Sequence, residues 1–228
     1  MTRPATRRTP AAAVLLGCAS LFAAPASAEM ISQPTRVVEL FSSQGCSSCP
    51  PANAAVAKLD HEDADTLALT YGVTYWDYLG WADTFGDPAF TQRQRDYDAA
   101  LDSGVYTPML VASGRTHGSR LTGPLLDGAS VPQSVMLHRE SGELCLSGKL
   151  PAGAKLALVT YKPGLQTVKV KRGENGGREL GVANVVTGVD YRDWTGDTVC
   201  GLRAGTGLAV LAHHPETAAV IGAARLEP

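Results

Sequence analysis

Residues 37–51 read Val37-Val38-Glu39-Leu40-Phe41-Ser42-Ser43-Gln44-Gly45-Cys46-Ser47-Ser48-Cys49-Pro50-Pro51, and the helix-forming run Ala52 to Leu59 follows them. The apolar start predicts a β-strand, the polar residues predict a loop, and the proline pair predicts the first turn of a helix. The two cysteines therefore stand where a strand gives way to a helix, and the helix dipole favours a thiolate there. The segment predicts a redox-active thiol pair, with a structural disulfide and half of a metal site as alternatives.

The composition is that of a globular protein. Of 228 residues, 44% are hydrophobic and 18% are charged, which is ordinary for a folded domain. The length suffices for one or two domains whose core needs no disulfides. A formal net charge of -2 gives no indication of a nucleic-acid partner.

Residues 1–28 have the pattern of a signal peptide. Three arginines precede an apolar stretch from Ala11 to Ala24, and Ala26-Ser27-Ala28 has the form of a cleavage site. We therefore expect cleavage after Ala28 and a periplasmic or secreted protein whose mature chain has no transmembrane span. The alternative is a lipoprotein, in which Cys18 would carry the lipid.

Cysteine usage fits export. Without Cys18, the chain has four cysteines, namely Cys46, Cys49, Cys145 and Cys200, and an even number in an exported chain is compatible with two disulfides. The pair Cys46–Cys49 is local. Cys145–Cys200 is then the second disulfide, unless these two remain buried thiols.

Two parts of the chain differ in pattern. Strand-like and helix-like segments alternate from Thr35 to Leu126, and Asp87-Pro88 predicts a helix start with Asp87 as the N-cap. After about residue 131, short β-rich runs follow one another, and we predict no amphipathic helix there. We expect one domain at residues 32–130 and an all-β, sandwich-like domain at residues 131–228.

Several segments together resemble the thioredoxin superfamily, and more narrowly a family of exported bacterial proteins of unknown function with a thioredoxin-like N-terminal half. The segments are residues 39–51, Tyr75-Trp76-Asp77-Tyr78-Leu79-Gly80-Trp81, Tyr106-Thr107-Pro108 and Arg172-Gly173-Glu174-Asn175. The resemblance implies an α/β thioredoxin-like domain followed by the all-β sandwich-like domain.

The predicted catalytic residues follow from position and from this resemblance. Cys46, more exposed on the loop side, would be the nucleophile, and Cys49 at the helix start would resolve the mixed disulfide. The resemblance implies that Thr107-Pro108, with a cis peptide bond, lies against the cysteines and presents an extended substrate. It also implies that Glu39 is a buried acid with a raised pKa that relays a proton; the alternative places Glu39 at the solvent end of its strand.

The predicted function is an extracytoplasmic thiol–disulfide oxidoreductase that acts on protein thiols or disulfides and needs no organic cofactor. One alternative is a copper(I)-handling thioredoxin-like protein with Cys46 and Cys49 as ligands, because soft thiolates select that ion. The other is a non-catalytic binding scaffold in which Cys46–Cys49 is a structural disulfide.

Three further features have more than one interpretation. The aromatic residues at 75–81 predict core or a domain seam, with a peptide-binding rim as the alternative. His213 and His214 are adjacent on a predicted strand and point to opposite faces, so we do not expect them to chelate a metal together. Arg172 and Arg178 flank a glycine-rich segment that is typical of a turn, and an anion site is the alternative.

Overall fold

The computed structural model describes Met1 and residues 29–132, 134–196 and 198–228. The predicted signal peptide, its cleavage site after Ala28 and the alternative lipidation site at Cys18 lie outside the described residues. Within the described ranges, no helix is both long enough and apolar enough to cross a membrane.

The described residues form twelve strands and three α-helices. In chain order these are β1 (Met30–Ser32), β2 (Arg36–Ser42), α1 (Pro50–Glu62), β3 (Thr66–Gly72), α2 (Pro88–Leu101), β4 (Met109–Ala112), β5 (Thr116–Gly118), α3 (Gly123–Leu126), β6 (Val135–Glu140), β7 (Glu143–Gly148), β8 (Lys155–Lys169), β9 (Glu179–Asp193), β10 (Thr198–Val199), β11 (Gly207–His213) and β12 (Val220–Glu227). A short 3₁₀ helix spans Asp77–Leu79.

Nine of these strands form one mixed sheet, in the order β1-β12-β11-β8-β9-β3-β2-β4-β5. Strands β2 and β3 are parallel, and β4 and β5 add antiparallel strands beyond β2. The strands of the second half of the chain join at β3, where β9 pairs in parallel through Thr70 and Val185.

The predicted fold class is wrong. The protein is mostly β, with 43% strand and 17% helix, and it is not an α/β thioredoxin-like domain followed by a sandwich-like domain. The physical reason is the pairing of β9 with β3, because it makes β8, β9, β11 and β12 a continuation of the first sheet. The sheet crosses the predicted boundary at residue 131, and the division into domains at 32–130 and 131–228 stays a prediction.

The helices α1 and α2 cover opposite faces of this sheet. Side chains alternate along β2, as in any strand. Val38 and Leu40 pack with Val56 of α1. Val37 and Phe41 pack on the other face, in the cluster that contains Phe90 and Tyr97 of α2. The direction of each side chain on β2 therefore decides which helix it meets.

A separate three-stranded sheet, in the order β10-β7-β6, covers part of the large sheet. Leu137 and Leu146 from this small sheet pack against Leu156 and Val210 of the large sheet in a second apolar cluster. The disulfide Cys145–Cys200 joins β7 to the residue that follows β10. Both disulfides that we expected from the cysteine count are formed.

Asn184 fixes β9 against the first half of the chain. Its backbone has a φ of 47°, a left-handed conformation that Asn tolerates better than most residues. Its side-chain amide donates to Asp60 Oδ1 of α1 at 2.6 Å and to the carbonyl of Ala68 in β3 at 2.9 Å, while its oxygen accepts from Gly164 N at 2.7 Å. These contacts anchor the β8–β9 hairpin, whose tip, residues 170–178, reaches the cysteine loop.

Candidate functional site

The Cys46–Cys49 disulfide lies at the start of α1. Cys49 is the N-cap of this 13-residue helix, and Ala52 N and Asn53 N donate to its carbonyl oxygen at 3.0 and 3.1 Å. Pro50 begins the helix, as the sequence predicted. The positive end of the helix dipole therefore faces the disulfide, which favours a thiolate after reduction.

The Ser48 hydroxyl contacts Cys46 Sγ. It lies 3.2 Å from this sulfur and 3.4 Å from the carbonyl oxygen of Thr107, to which it donates. Ser47 and Ser48 are both exposed. The hydroxyl has one proton, so after reduction it can donate to a Cys46 thiolate in place of the Thr107 carbonyl. A hydrogen bond to the charged form lowers the pKa of a thiol.

The structure brings Thr107 to the cysteine loop, where its carbonyl accepts from the Ser48 hydroxyl. The Thr107–Pro108 peptide bond is cis, and Pro108 stands directly before β4, so β4 needs no hydrogen bond from it. Trp76 Nε1 donates to Thr107 Oγ1 at 2.7 Å. The Ser48 contact then links Thr107 to the loop that carries Cys46. The roles predicted for Thr107 and Pro108 in substrate presentation stay predictions.

A segment from the far end of the sheet lies on the cysteine loop. Asn175, in the hairpin tip 170–178, is fully buried, and its side-chain amide donates to the carbonyls of Gln44 at 3.0 Å and Cys46 at 2.8 Å. Glu174 Oε2 accepts from Ser47 N at 3.0 Å, and hydrogen bonds from the Ser47 side chain and main chain lower the pKa of Glu174. Arg178 in turn donates to Asn175 Oδ1 at 3.0 Å. We call Glu174 and Asn175 the clamp.

Both cysteines are buried beneath their neighbours. Cys46 is 1% exposed and Cys49 is 0% exposed. The expectation that Cys46 lies exposed on the loop side is therefore wrong for the oxidised protein. The reason is that the clamp and the aromatic segment at 75–81 contact the loop from distant parts of the chain. Trp76 packs so closely on Gly45 that a Cβ atom added to Gly45 would lie 3.3 Å from Trp76 Cβ.

The other side of the cysteine loop is held by residues 81–84. Asp83 Oδ2 accepts from Gln44 N at 2.7 Å, and Trp81 Nε1 donates to Gln44 Oε1 at 2.8 Å. Burial raises the pKa of Asp83, and hydrogen bonds from the main-chain N–H groups of Gln44 and Phe85 oppose that rise. The aromatic segment therefore supports the cysteine loop, with Tyr78 exposed at its outer side.

Glu39 does not have the environment that the proton-relay hypothesis requires. It is fully buried, and Arg93 Nε donates to its Oε1 at 2.7 Å, while the Tyr97 hydroxyl donates to Oε2. Burial alone would raise its pKa, but the charge of Arg93 and the hydrogen bonds from Arg93 and Tyr97 outweigh it and lower the pKa of Glu39. The alternative position at the solvent end of the strand is also wrong, since Glu39 lies mid-strand.

The face of the sheet explains why Glu39 is separate from the thiols. Glu39 contacts Arg93 and Tyr97 of α2, whereas its strand neighbours Val38 and Leu40 pack on the α1 side. The disulfide lies at the start of α1. Glu39 therefore faces away from the helix that carries Cys49, and we assign it to an ion pair with Arg93.

The metal hypotheses gain no support from the arrangement. Among the described residues, three potential ligands come within reach of one ion at His138, Glu140 and Cys145, but Cys145 is in a disulfide. Cys46 and Cys49 do not belong to such a group in the described part of the chain. The hydroxyl of Ser48 beside Cys46 is a hard donor, which copper(I) does not select.

His213 and the two arginines of the hairpin tip have structural contacts. His213 Nδ1 donates to the carbonyl of Ala218 at 2.9 Å, and its Nε2 lies 3.3 Å from Arg93 Nη2. Arg178 supports Asn175, and the glycine-rich segment forms a turn in which Gly173 has a φ of 75°. Residues 172–175 contribute to the family resemblance, but their pattern does not predict the contact between Asn175 and Cys46, which are 129 residues apart.

Fold and site together define a mixed-sheet protein with a helix-capping C-x-x-C disulfide that is covered by a hairpin tip. The chain belongs to the family described as "Protein of unknown function (DUF1223)", whose profile matches residues 37–220. The matched region contains the C-x-x-C pair, Thr107-Pro108 and the clamp.

A solved structure is similar over nearly the whole chain. It is the X-ray crystal structure of a structural genomics target from Agrobacterium tumefaciens, with 31% sequence identity and a TM-score of 0.69. The similarity covers 86% of the present chain and 95% of the Agrobacterium chain. No curated protein matches the chain.

Proposed function

We propose that this protein is an extracytoplasmic thiol–disulfide oxidoreductase that uses the Cys46–Cys49 pair on protein thiols or disulfides. One observation carries the proposal: the disulfide lies at the N-terminus of α1, and the Ser48 hydroxyl is 3.2 Å from Cys46 Sγ. The signal-peptide pattern of residues 1–28 supports a location outside the cytoplasm.

The proline pair narrows the ways in which a thiolate can be stabilised. The first N–H groups of a helix have no partner within the helix, but Pro50 and Pro51 have no N–H to offer. Ala52 N and Asn53 N already donate to the Cys49 carbonyl. The Cys46 thiolate would therefore depend on the helix dipole and on the Ser48 hydroxyl, so we expect a pKa below about 8.5, the value of a free thiol.

The exchange itself needs no further co-reactant. A substrate thiolate attacks Cys46 Sγ, the Cys46–Cys49 bond breaks, and the electron pair leaves on Cys49 as a thiolate, which takes up a proton. A second substrate thiolate then attacks the substrate sulfur of the mixed disulfide and releases Cys46. The substrate is oxidised to a disulfide, and the Cys46–Cys49 pair is reduced to two thiols. The reverse sequence reduces a substrate disulfide.

Burial of Cys46 adds one requirement to the proposal. At 1% exposure, the sulfur cannot meet a protein substrate unless a neighbouring segment moves. The clamp is the segment we assign to this movement, because three hydrogen bonds hold it on the loop and one of them, from Ser47 N to Glu174, is exposed to solvent. Local opening of this kind costs less than global unfolding.

The test combines trapping with a redox titration. Cys49→Ala leaves Cys46 without its resolving thiol. Its Cys46 thiolate should attack a peptide disulfide, release one peptide thiolate and accumulate as the mixed disulfide. Cys46→Ala is the matched control and should trap none. The wild-type pair should have a reduction potential between about -270 and -120 mV, the range of exchange enzymes. Equal trapping in both variants, or none in either, would contradict the proposal.

The burial of both cysteines favours a second candidate, a binding scaffold in which Cys46–Cys49 is a structural disulfide. Structural disulfides of exported proteins have potentials below about -300 mV. Two results would support the scaffold over the enzyme: a reduction potential below this value, and a protein that is less stable when the disulfide is reduced than when it is oxidised.

A further inference from the structure

A cavity of about 600 Å³ lies beside α2, on the face of the sheet opposite to α1. Its wall is formed by the second half of α2, the ends of β8 and β9, and the turn between β11 and β12. A volume of this size is in the range of pockets that bind small organic molecules. The Cys46–Cys49 pair does not line it, so the cavity is separate from the proposed redox site.

The inner wall of the cavity carries a buried guanidinium. Arg93 lines the cavity and is 4% exposed. Four of the five N–H groups of a guanidinium have partners: Nε donates to Glu39, Nη1 to the Tyr191 hydroxyl at 3.2 Å, and Nη2 to Tyr97 at 3.1 Å and to His213 at 3.3 Å. One N–H group of Nη1 is left without a partner among the described residues.

Tyr191 supplies a second donor at the same place. Its hydroxyl accepts from Arg93 Nη1 and therefore keeps its own proton to donate. Tyr191 lines the cavity and is 52% exposed, so this proton can reach a ligand there. Two donors, 3.2 Å apart, thus converge on one part of the wall.

The charges around these donors do not favour an anion. The Glu39 carboxylate already neutralises Arg93, and His213 is uncharged at neutral pH because burial and the charge of Arg93 lower its pKa to about 4. At the rim, Lys155 is paired with Asp193 and Arg192 with Asp190. Asp96 and Glu216 add negative charge to the lining. An anion that entered would lose its hydration without gaining a free positive charge, and this is unfavourable.

We infer that this cavity binds an uncharged small organic molecule that has an apolar ring and a carbonyl or amide oxygen. The oxygen accepts from Tyr191 Oη and from the spare N–H group of Arg93 Nη1. The ring lies along the apolar part of the wall, which includes Ala100 and Pro215. A carboxylate of the same shape binds more weakly, because Glu39 lies behind the donors.

The test uses two probes that differ in charge, phenylacetamide and phenylacetate. Chemical shifts of the full-length protein are followed by NMR as each probe is added at neutral pH. We expect phenylacetamide to shift the signals of Tyr97, Tyr191 and His213 with a dissociation constant at least fivefold lower than that of phenylacetate. Absence of shifts at these residues, or equal or tighter binding of phenylacetate, would overturn the inference.

A pair of variants tests the role of the hydroxyl. Tyr191→Phe keeps the ring and removes the donor, and it should weaken phenylacetamide binding at least fivefold. Tyr78→Phe is the matched control, because Tyr78 is exposed and does not line the cavity; it should leave binding unchanged. Unchanged binding in Tyr191→Phe, with the far-UV and near-UV circular dichroism of wild type, would overturn the assignment of the donor.

Discussion

Asn175 donates from its side-chain amide to the main-chain oxygen of Cys46 at 2.8 Å, although the two residues are 129 positions apart. The same amide group donates to the carbonyl of Gln44 at 3.0 Å. These hydrogen bonds hold the tip of the β8–β9 hairpin on the loop that carries Cys46. The accessibility of Cys46 therefore depends on this contact as well as on the C-x-x-C motif itself.

Replacing Asn175 should loosen the cysteine loop. Asn175→Ala leaves the buried carbonyl of Gln44 without its donor and removes one of the two donors to the Cys46 carbonyl, which keeps Cys49 N at 3.2 Å. An unpaired buried carbonyl costs about 1–3 kcal/mol. If the substitution destabilises the closed state of the loop relative to the open state by about 1.4 kcal/mol, the open state is about tenfold more populated. Reduction of the disulfide by dithiothreitol should then be about tenfold faster. Mass spectrometry after timed quenching with an alkylating agent measures this rate.

Lys171→Ala is the matched control for that experiment. Lys171 is exposed in the same hairpin tip, and the structure gives it no hydrogen bond to the cysteine loop. The Cys46–Cys49 disulfide of this variant should be reduced by dithiothreitol at the wild-type rate. If Asn175→Ala is also reduced at the wild-type rate while its stability falls, Asn175 supports the fold without controlling access to Cys46.

Replacing Ser48 should weaken the Cys46 thiolate. The Ser48 hydroxyl is 3.2 Å from Cys46 Sγ, and the prolines at the helix start have no N–H to replace it. Ser48→Ala should therefore raise the pKa of the Cys46 thiol by about one unit, the equivalent of one hydrogen bond to a charged group. The pH dependence of iodoacetamide alkylation of the reduced protein measures the pKa.

Ser47→Ala is the control for this prediction, because Ser47 is exposed and its hydrogen bonds go to Glu174 and not to Cys46. The pKa of the Cys46 thiol in Ser47→Ala should equal that in wild type. Equal values in wild type and Ser48→Ala would show that the helix dipole alone sets the thiolate's stability.

Breaking the Glu39–Arg93 pair should strongly destabilise the fold. The pair is buried, with a side-chain exposure of 4% for Arg93 and 0% for Glu39, and removal of one partner leaves an uncompensated charge. Arg93→Met should therefore cost about 3–5 kcal/mol of unfolding free energy. In the double variant Glu39→Leu/Arg93→Met, the loss should be smaller than in Arg93→Met. Urea denaturation at neutral pH decides this, and a double variant less stable than Arg93→Met would contradict the argument.

Stability should fall in mild acid through His213. Burial and the nearby charge of Arg93 lower the pKa of His213 from 6.5 to about 4, so between these values the unfolded chain binds a proton that the folded protein does not. The contribution of His213 is complete above pH 6.5 and is lost as the pH falls to 4. The shift corresponds to roughly 3 kcal/mol. Urea titrations at four pH values give the unfolding free energy as a function of pH. This free energy should fall less steeply with decreasing pH in His213→Gln than in wild type, and an equal pH dependence would contradict the prediction.

The local elements of the fold follow from the sequence. The strand before the cysteines, the helix that Pro50 begins and the N-cap Asp87, whose carboxylate accepts from Ala89 N at 2.8 Å, all depend on residues close together in the chain. Such residues carry their own signals, because capping and turn formation are local. The two disulfides also follow from the number and spacing of the cysteines.

The overall fold does not follow in the same way. Strand β9 joins β3 through one pair of residues, Thr70 and Val185, and nothing in either strand's pattern identifies its partner. The burial of Cys46 likewise depends on Asn175, which reads as part of a glycine-rich turn. The resemblance implies that Glu39 is a buried acid with a raised pKa, and nothing near Glu39 in the chain indicates its ion-pair partner Arg93, which lies 54 residues away on α2.

Alkylation of Cys46 tests the central claim most directly. The reduced protein is treated with iodoacetamide at pH 7 under native conditions, and each cysteine is followed by mass spectrometry, with the double variant Cys145→Ala/Cys200→Ala as a simplified background. The proposed enzyme requires that Cys46 reacts much faster than Cys49, and faster still in Asn175→Ala. If Cys46 stays unmodified until the protein unfolds, the disulfide is structural and the oxidoreductase proposal is wrong.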